Sequence, residues 1–254
     1  MSVIKKLAGG LIVSCQDNEE TDPLHGSEYM AAFAKCAEIG GAVGIRASMP
    51  DVPAIKKATD LPVMAHNKVG KAKIRITPTF EAAKQVVEAG ADIVTMDATR
   101  GMRTDGNTES DLIRKIKDEL SVPVNADIGT IEDGINAAEA GADMLATTLA
   151  GYITEEPTGE TFLGTCDNIV EYTKYMAKGY EKGPDIELVH LLTKKVDIPV
   201  ICEARIWTPE QACYALQAGA YAVVVGTAIT RPHMMTRVFV DAMNKCKAKM
   251  HRKF

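Results

Sequence analysis

Short apolar runs alternate along the chain with longer stretches in which apolar residues recur at helical spacing. Eight runs are read as strands: Leu11 to Gln16, Ala42 to Ala47, Pro62 to Lys68, Ile93 to Thr99, Pro123 to Ile128, Met144 to Leu149, Pro199 to Ile206 and Ala222 to Thr227. Each is apolar at nearly every position until its last residues. A strand of that kind is buried on both faces, which points to a parallel sheet covered by helices.

Two phrases punctuate the runs. In the first, a helical stretch ends in small residues and glycine before a strand, as in Ala37-Glu38-Ile39-Gly40-Gly41-Ala42, Glu88-Ala89-Gly90-Ala91-Asp92, Glu139-Ala140-Gly141-Ala142-Asp143 and Gln217-Ala218-Gly219-Ala220. Glycine takes the left-handed conformation that ends a helix, and alanine lets the next strand pass close by. The second phrase introduces the strands between: Leu61-Pro62-Val63, Val122-Pro123-Val124 and Ile198-Pro199-Val200. A proline at a strand's first residue removes no ladder hydrogen bond. Gly41, Gly90 and Gly141 stand about fifty residues apart, twice the span of one βα unit, so the chain repeats in βαβα quarters. Eight alternating units without a Gly-x-Gly-x-x-Gly fingerprint predict one closed (β/α)8 TIM barrel over residues 1–254. An insertion at about residues 153–184, after the sixth strand, emerges on the catalytic face, where it serves as a lid or as a surface elaboration.

Composition narrows the classes. The 254 residues are 46% hydrophobic and 25% charged, ordinary for a chain with one large core. A net charge of −5 with dispersed lysines and arginines gives no footprint for nucleic acid. No apolar stretch is long enough to span a bilayer, and Leu7 to Val13 before Cys15, broken by Gly9-Gly10, is too short for a lipoprotein-type leader. Six cysteines without a Cys-x-x-Cys pair, mostly within apolar runs, imply reduced thiols and a cytoplasmic protein.

In such barrels the reacting groups project from the C-terminal ends of the strands. Polar residues there are Ser14 and Gln16, Arg46, His66 and Lys68, Asp97 and Thr99, Asp127, Thr147 and Thr148, Glu203 and Arg205, then Gly226 and Thr227. Gathering so many ionisable groups at one mouth is costly unless they form a site. Lys68 and Glu203 belong to the third and seventh strands, across an eight-stranded ring. They can approach one carbon from opposite faces, which suits inversion by proton transfer next to a carbonyl. A lysine acts as base only when desolvation or cations such as Arg46 and Arg205 lower its pKa. Schiff-base formation and phosphate binding are equally open to Lys68 on spacing alone. The segment Val223 to Pro232 reads as strand, tight turn and helix, the usual barrel position for a phosphate, with Arg205 or Arg231 adding charge. Asp97 serves as a structural brace or as a site group, and His66 either approaches substrate or is a hydrogen-bonded interior histidine. The histidines lack paired ligand spacing, and Asp97, Asp127 and Glu203 are the remaining set for a hard cation. Metal binding is not expected on this spacing.

At these residues the sequence closely resembles the N-acetylmannosamine-6-phosphate 2-epimerases of bacterial sialic acid catabolism. The marks are Leu11 to Gln16 with Pro23-Leu24-His25, Ile45-Arg46-Ala47, Ile76-Thr77-Pro78-Thr79, Asp97-Ala98-Thr99, Ala126-Asp127-Ile128, Ala146 to Leu149 with Gly151-Tyr152, Pro199 to Ile206, and Gly226 to Pro232. The resemblance implies that Lys68 is the acid/base lysine at C2 and Glu203 its partner in proton transfer or ring opening. It implies that Gln16, Arg46 and Asp127 bind the sugar, that Arg205, Arg231 and the backbone around Gly226 and Thr227 hold the phosphate, and that the protein is a homodimer. The implied course is ring opening, deprotonation at C2 and reprotonation on the other face, without a redox cofactor or metal. Other readings are a Schiff-base aldolase and a phosphosugar-binding barrel without catalysis. Three departures stand out: Ala204 and Thr227 replace glycines usual in the family, Met64-Ala65-His66-Asn67-Lys68 is more polar than its usual approach to the lysine, and the insertion after Tyr152 exceeds its loop.

Overall fold

Every helix that ends in the repeated phrase ends by the same bonds. The amides of Gly41, Gly90, Gly141 and Gly219 turn back onto the carbonyls of Glu38, Val87, Ala138 and Leu216, and the alanine after each glycine reaches Ala37, Val86, Ala137 and Ala215. The four glycines have φ of 85, 98, 100 and 103°, the left-handed turn that makes this paired closure and that a side chain resists. The two phrases are also tied to each other. Val63 N–H donates to Asp92 Oδ2 at 2.8 Å and Val124 N–H to Asp143 Oδ2 at 2.7 Å, while the Asp92 and Asp143 amides donate to the carbonyls of Val63 and Val124. Proline has no N–H, so the first strand amide is the valine's, and the aspartate before the next strand takes it.

The computed structural model describes residues 2–16, 22–70, 72–152 and 183–249. The strands are β1 (Leu11–Cys15), β2 (Gly44–Ser48), β3 (Val63–His66), β4 (Ile93–Asp97), β5 (Val124–Asp127), β6 (Met144–Ala146), β7 (Val200–Cys202) and β8 (Ala222–Val225). All neighbours are parallel and β8 returns to β1, closing an eight-stranded barrel. The described helices are α1 (Val3–Lys6), α2 (Ser27–Ile39), α3 (Val52–Ala58), α4 (Phe80–Glu88), α5 (Glu109–Leu120), α6 (Ile131–Glu139), α7 (Ile186–Leu192), α8 (Pro209–Gln217), α9 (Thr227–Thr230) and α10 (Pro232–Lys249). Thr108, Thr130 and Thr208 start α5, α6 and α8 with reciprocal side-chain caps, each worth about 1 kcal/mol.

All eight expected strands are present, each shorter than the apolar run suggested. Pro62, Pro123 and Pro199 stand just before their strands. Gln16, Lys68, Thr99, Glu203, Arg205, Gly226 and Thr227 lie beyond the C-terminal ends, where the ladder has stopped and the backbone is free to turn. The expected lid lies almost wholly in residues 153–182, outside the described residues.

Alternation along each strand sorts the side chains into two cores. Ala47, Ala65, Val94 and Ala126 face the helices. Ile12, Met64, Ile93, Met144, Ile201 and Val224 fill the barrel floor with Leu7, which follows α1. Each large apolar side chain fully buried here contributes about 1.5–3 kcal/mol. Tyr221 Oη donates to the Ile4 carbonyl at 3.2 Å, and the Gly9 amide donates to the Tyr221 carbonyl at 2.7 Å, fixing the N-terminal segment under the last strand.

Candidate active site

One step above the floor the inward positions turn polar: Ser14 above Ile12, His66 above Met64, Glu203 above Ile201. These residues line a cavity at the C-terminal mouth together with Gln16, Arg46, Lys68, Arg205, Gly226, Thr227 and Arg231.

Lys68 reaches this cavity by a route the apolar pattern did not announce. β3 pairs with β4 only through Met64 to Ile93 and Ala65 to Val94, and above that point the seam is filled by returning chain. Lys68 forms an antiparallel bridge with Ile76. The amides of Val69 and Thr77 donate to the carbonyls of Arg75 and Asn67, and the Asp97 amide to that of Ile76. Thr77 pins the return with φ 45°, its hydroxyl donating to the Thr95 carbonyl at 2.6 Å and accepting from the Asn67 amide at 3.0 Å. Lys68 therefore sits in a hairpin rising from β3, not at the end of a parallel strand. The same hairpin brings Lys73 and Arg75 to the cavity.

Burial in this mouth, then the positive charges of Arg75, Arg231 and Arg46, pull the Lys68 amine down to about 7. By area the residue is exposed at the cavity, so the arginines count for more than burial while the mouth is open. The arginines act in either state.

Glu203 follows β7 directly and is held by the backbone on both sides. Its amide donates to Thr147 Oγ1 at 3.0 Å, and the same hydroxyl donates to the Glu203 carbonyl at 3.0 Å. Its carboxylate accepts from Arg46 Nη1 at 2.7 Å. Burial raises the Glu203 pKa well above the carboxylate range, with Asp127 adding to the rise and Arg46 opposing it. Arg46 donates to both oxygens of Asp127, at 3.0 and 2.6 Å. Burial works against the guanidinium charge, but Asp127 and Glu203 outweigh it and hold the pKa above the ordinary arginine range.

Asp127, expected to touch the sugar, has no exposed surface and does not line the cavity. It accepts from Thr148 Oγ1 at 2.7 Å as well as from Arg46, so it orients the arginine from beneath. The other eight expected residues all line the cavity. Thr99 Oγ1 donates to Asp97 at 2.6 Å, and burial raises the Asp97 pKa to about 6 against the pull of Thr99 and Arg103. Of the three carboxylates considered for a cation, Asp127 and Glu203 are both bound to Arg46, and no group of three or more histidine, cysteine or acidic side chains among the described residues is placed to hold a metal.

On the opposite side the cavity is cationic. Gly226 precedes α9, whose first amides have no partner within the helix. A Cβ at Gly226 would stand 3.2 Å from that of Ser14, so the backbone passes close to β1. Arg231 is nearly buried beside it, donating to the Gln16 carbonyl at 3.3 Å and facing Asp22 at 3.8 Å. Arg205 is fixed to the chain after β6: Nε donates to the Gly183 carbonyl at 2.7 Å, Nη1 donates to the Ala150 carbonyl, and the guanidinium lies 5.3 Å from the Tyr152 ring centre.

The two replaced glycines fare differently. Thr227 is the first residue of α9 and its hydroxyl accepts from Arg231 Nη1 at 3.4 Å, so a side chain is accommodated. Ala204 has φ 82° and Arg205 φ 57°, two consecutive side chains in left-handed backbone. Glycine alone adopts that conformation without strain. His66 departs from the expectation of a hydrogen-bonded interior residue, since neither ring nitrogen has a partner. Sequence reasoning missed Arg75 and Lys73. The signal, the turn glycine Gly70 among basic residues between Lys68 and Ile76, was visible, but the register that folds it over the mouth was not.

A family described as "Putative N-acetylmannosamine-6-phosphate epimerase" matches residues 30–171 and 157–245, two segments that overlap within the insertion. A protein of Caldanaerobacter subterraneus named as a putative N-acetylmannosamine-6-phosphate 2-epimerase is 47% identical, over 94% of this chain and 93% of its own. A Cutibacterium acnes protein of the same name is 44% identical, over 95% and 96%. The solved structure of the N-acetylmannosamine-6-phosphate 2-epimerase from Clostridium perfringens superposes with a TM-score of 0.80 at 36% identity, covering 95% of this chain and 96% of that one. A barrel with these residues at its mouth, matched along nearly its whole length, belongs to the N-acetylmannosamine-6-phosphate epimerase family, a family of carbohydrate epimerases.

Proposed function

We propose that this chain inverts C2 of N-acetylmannosamine 6-phosphate to give N-acetylglucosamine 6-phosphate by proton transfer through Lys68 and Glu203. The observation that carries the reading is the pairing of an amine with a lowered pKa and a carboxyl with a raised one in a single cavity. Each can then hold or release a proton near neutrality, as inversion requires of its acid and its base. After ring opening, the C2 proton lies next to the aldehyde carbonyl. One group takes it, the other delivers a proton to the opposite face, and exchange with water resets the pair.

The remaining residues support the substrate. Arg231, Arg205 and the turn at Gly226 and Thr227 bind the phosphate, while Gln16 and Arg46 face the sugar and Asp127 keeps Arg46 in place. Tight phosphate binding fixes C2 relative to the acid and base, converting remote binding into orientation at the reacting carbon. On the same reading the enzyme is a cytoplasmic homodimer acting in sialic acid and amino-sugar breakdown.

The test is proton NMR in deuterium oxide with either sugar phosphate. Expected is loss of the C2 hydrogen signal with the wild type and at least a hundredfold slower loss with Lys68→Ala. Undiminished exchange in that variant removes the lysine from the mechanism. Trapping of substrate on Lys68 by borohydride would instead establish a Schiff base.

A further inference from the structure

One acidic group at the mouth is used neither by the phosphate side nor by the proton-transfer pair. Asp97 ends β4, four strands round the ring from β8 and so across the mouth from the turn at Gly226. Its Oδ1 accepts from both the amide and the hydroxyl of Thr99, at 2.8 and 2.6 Å. Its Oδ2 accepts from none of the described residues, yet it is not among the side-chain atoms shut off from partners and solvent alike. Asp97 is only 5% exposed and lines the cavity, so that oxygen opens into the mouth.

Bracing the loop does not account for it. The brace uses Oδ1 alone, and an asparagine makes the same two bonds without burying a charge. Arg103, whose charge favours the carboxylate, spends its terminal nitrogens on the carbonyls of Asp97, Thr99 and Gly101 and on Glu109. A buried carboxylate with one oxygen unused opposes folding unless something else binds it. Burial raises its pKa to about 6, and above that pH the open oxygen is an acceptor only.

The surroundings define the donor. In the pose proposed above, the phosphate lies at Gly226 and the C3 to C5 hydroxyls lie on the phosphate side of C2. Beyond C2, towards β4, extend the C1 carbonyl and the acetamido group. A carbonyl has no hydrogen to give, whereas the acetamido N–H is a donor. The acetyl methyl finds apolar walls beside it. Ile76, whose carbonyl accepts from the Asp97 amide, and Leu149, whose amide donates to the Ile128 carbonyl after β5, both line the cavity.

We infer that Asp97 is a specificity-determining residue, its Oδ2 accepting the N–H of the 2-acetamido group while Ile76 and Leu149 receive the acetyl methyl. The barrel thereby selects N-acylated 6-phosphosugars over those with nothing to donate at C2. The inference rests on the substrate orientation proposed above, not on which group moves the proton.

The experiment measures, by calorimetry, dissociation constants of two open-chain analogues, N-acetylglucosaminitol 6-phosphate and 2-deoxyglucitol 6-phosphate, for wild type and Asp97→Asn, beside C2 hydrogen exchange by the wild type. In Asp97→Asn the Thr99 amide keeps the side-chain oxygen at the Oδ1 position, so the NH2 replaces Oδ2 and meets the acetamido N–H donor to donor. Expected in the wild type is binding of the acetamido compound about tenfold or more tighter than the 2-deoxy compound. The variant loses about tenfold or more for the acetamido compound and stays within about threefold for the other. Equal weakening of both compounds, or of neither, overturns the inference, since Asp97 then braces the loop or meets a hydroxyl common to both. If Asp97→Asn does not fold, Asp97→Ser, which keeps one acceptor for Thr99 and has no second oxygen, is read in the same way. Selective loss without C2 exchange in the wild type keeps the acyl subsite and removes the proton-transfer reading. Exchange in the wild type with an unselective variant does the reverse.

Discussion

Arg46 on β2 and Glu203 after β7 meet across the barrel mouth at 2.7 Å, although two strands of the ring, β1 and β8, stand between them. The contact makes one arginine the counter-ion of two buried carboxylates, Glu203 and Asp127.

Removing that arginine leaves both acids without it. Arg46→Met is predicted to destabilise the fold by about 3–5 kcal/mol, the usual cost of stripping one partner from a buried pair, read as a lower urea midpoint. Arg46→Lys does not restore stability, because an ammonium cannot make the two-pronged contact to Asp127. A triple variant, Arg46→Met with Asp127→Leu and Glu203→Met, regains stability but not activity. Full stability in Arg46→Met alone would show that the network contributes little.

The acid and base titrate as a pair, so kcat/KM follows a bell-shaped profile whose limbs belong to both groups. Arg75 is the foremost of the cations that lower Lys68. In Arg75→Ala the charged amine is less disfavoured, the lysine's pKa rises towards its ordinary value, and the limb it governs moves to higher pH. The expected readout is an alkaline displacement of about half a unit or more, at a single ionic strength since exposed charges are screened. An unmoved profile would exclude Arg75 from tuning the lysine.

The backbone at Ala204 invites the opposite kind of change. With φ at 82°, Ala204→Gly relieves strain of about 1–3 kcal/mol, partly offset by the greater freedom of glycine in the unfolded chain. A net gain of about 1 kcal/mol follows, seen as a rise of about 2–4 °C in unfolding temperature. A lower unfolding temperature would mean that the alanine methyl makes contacts worth more than the strain.

Much of this architecture was legible because the rules involved are local. Gly41, Gly90, Gly141 and Gly219 announced their turns through a conformation few other residues accept, and strand ends could be scanned for Lys68, Arg46 and Glu203. What escaped depends on which segment lies beside which. No periodicity around Lys68 reveals that Ile76 returns to fill the β3–β4 seam, and hence that Arg75 faces the same cavity. Nor does the run Ala126-Asp127-Ile128 disclose that the carboxylate sits under Arg46, since depth in a barrel is set by stagger between strands. The lack of a partner at His66 is likewise a property of everything around it.

The fastening of Tyr221 to Ile4 and Gly9 bears on how the molecule is made. Each quarter closes largely on its own neighbours, but the ring is completed only when β8 pairs with β1, and the Tyr221 to Ile4 bond beneath it spans 217 positions. During synthesis Leu7 and the β8 side of the first strand stay uncovered until Tyr221 and β8 have emerged. Closure this late leaves apolar surface of the nascent chain exposed until the last strand arrives.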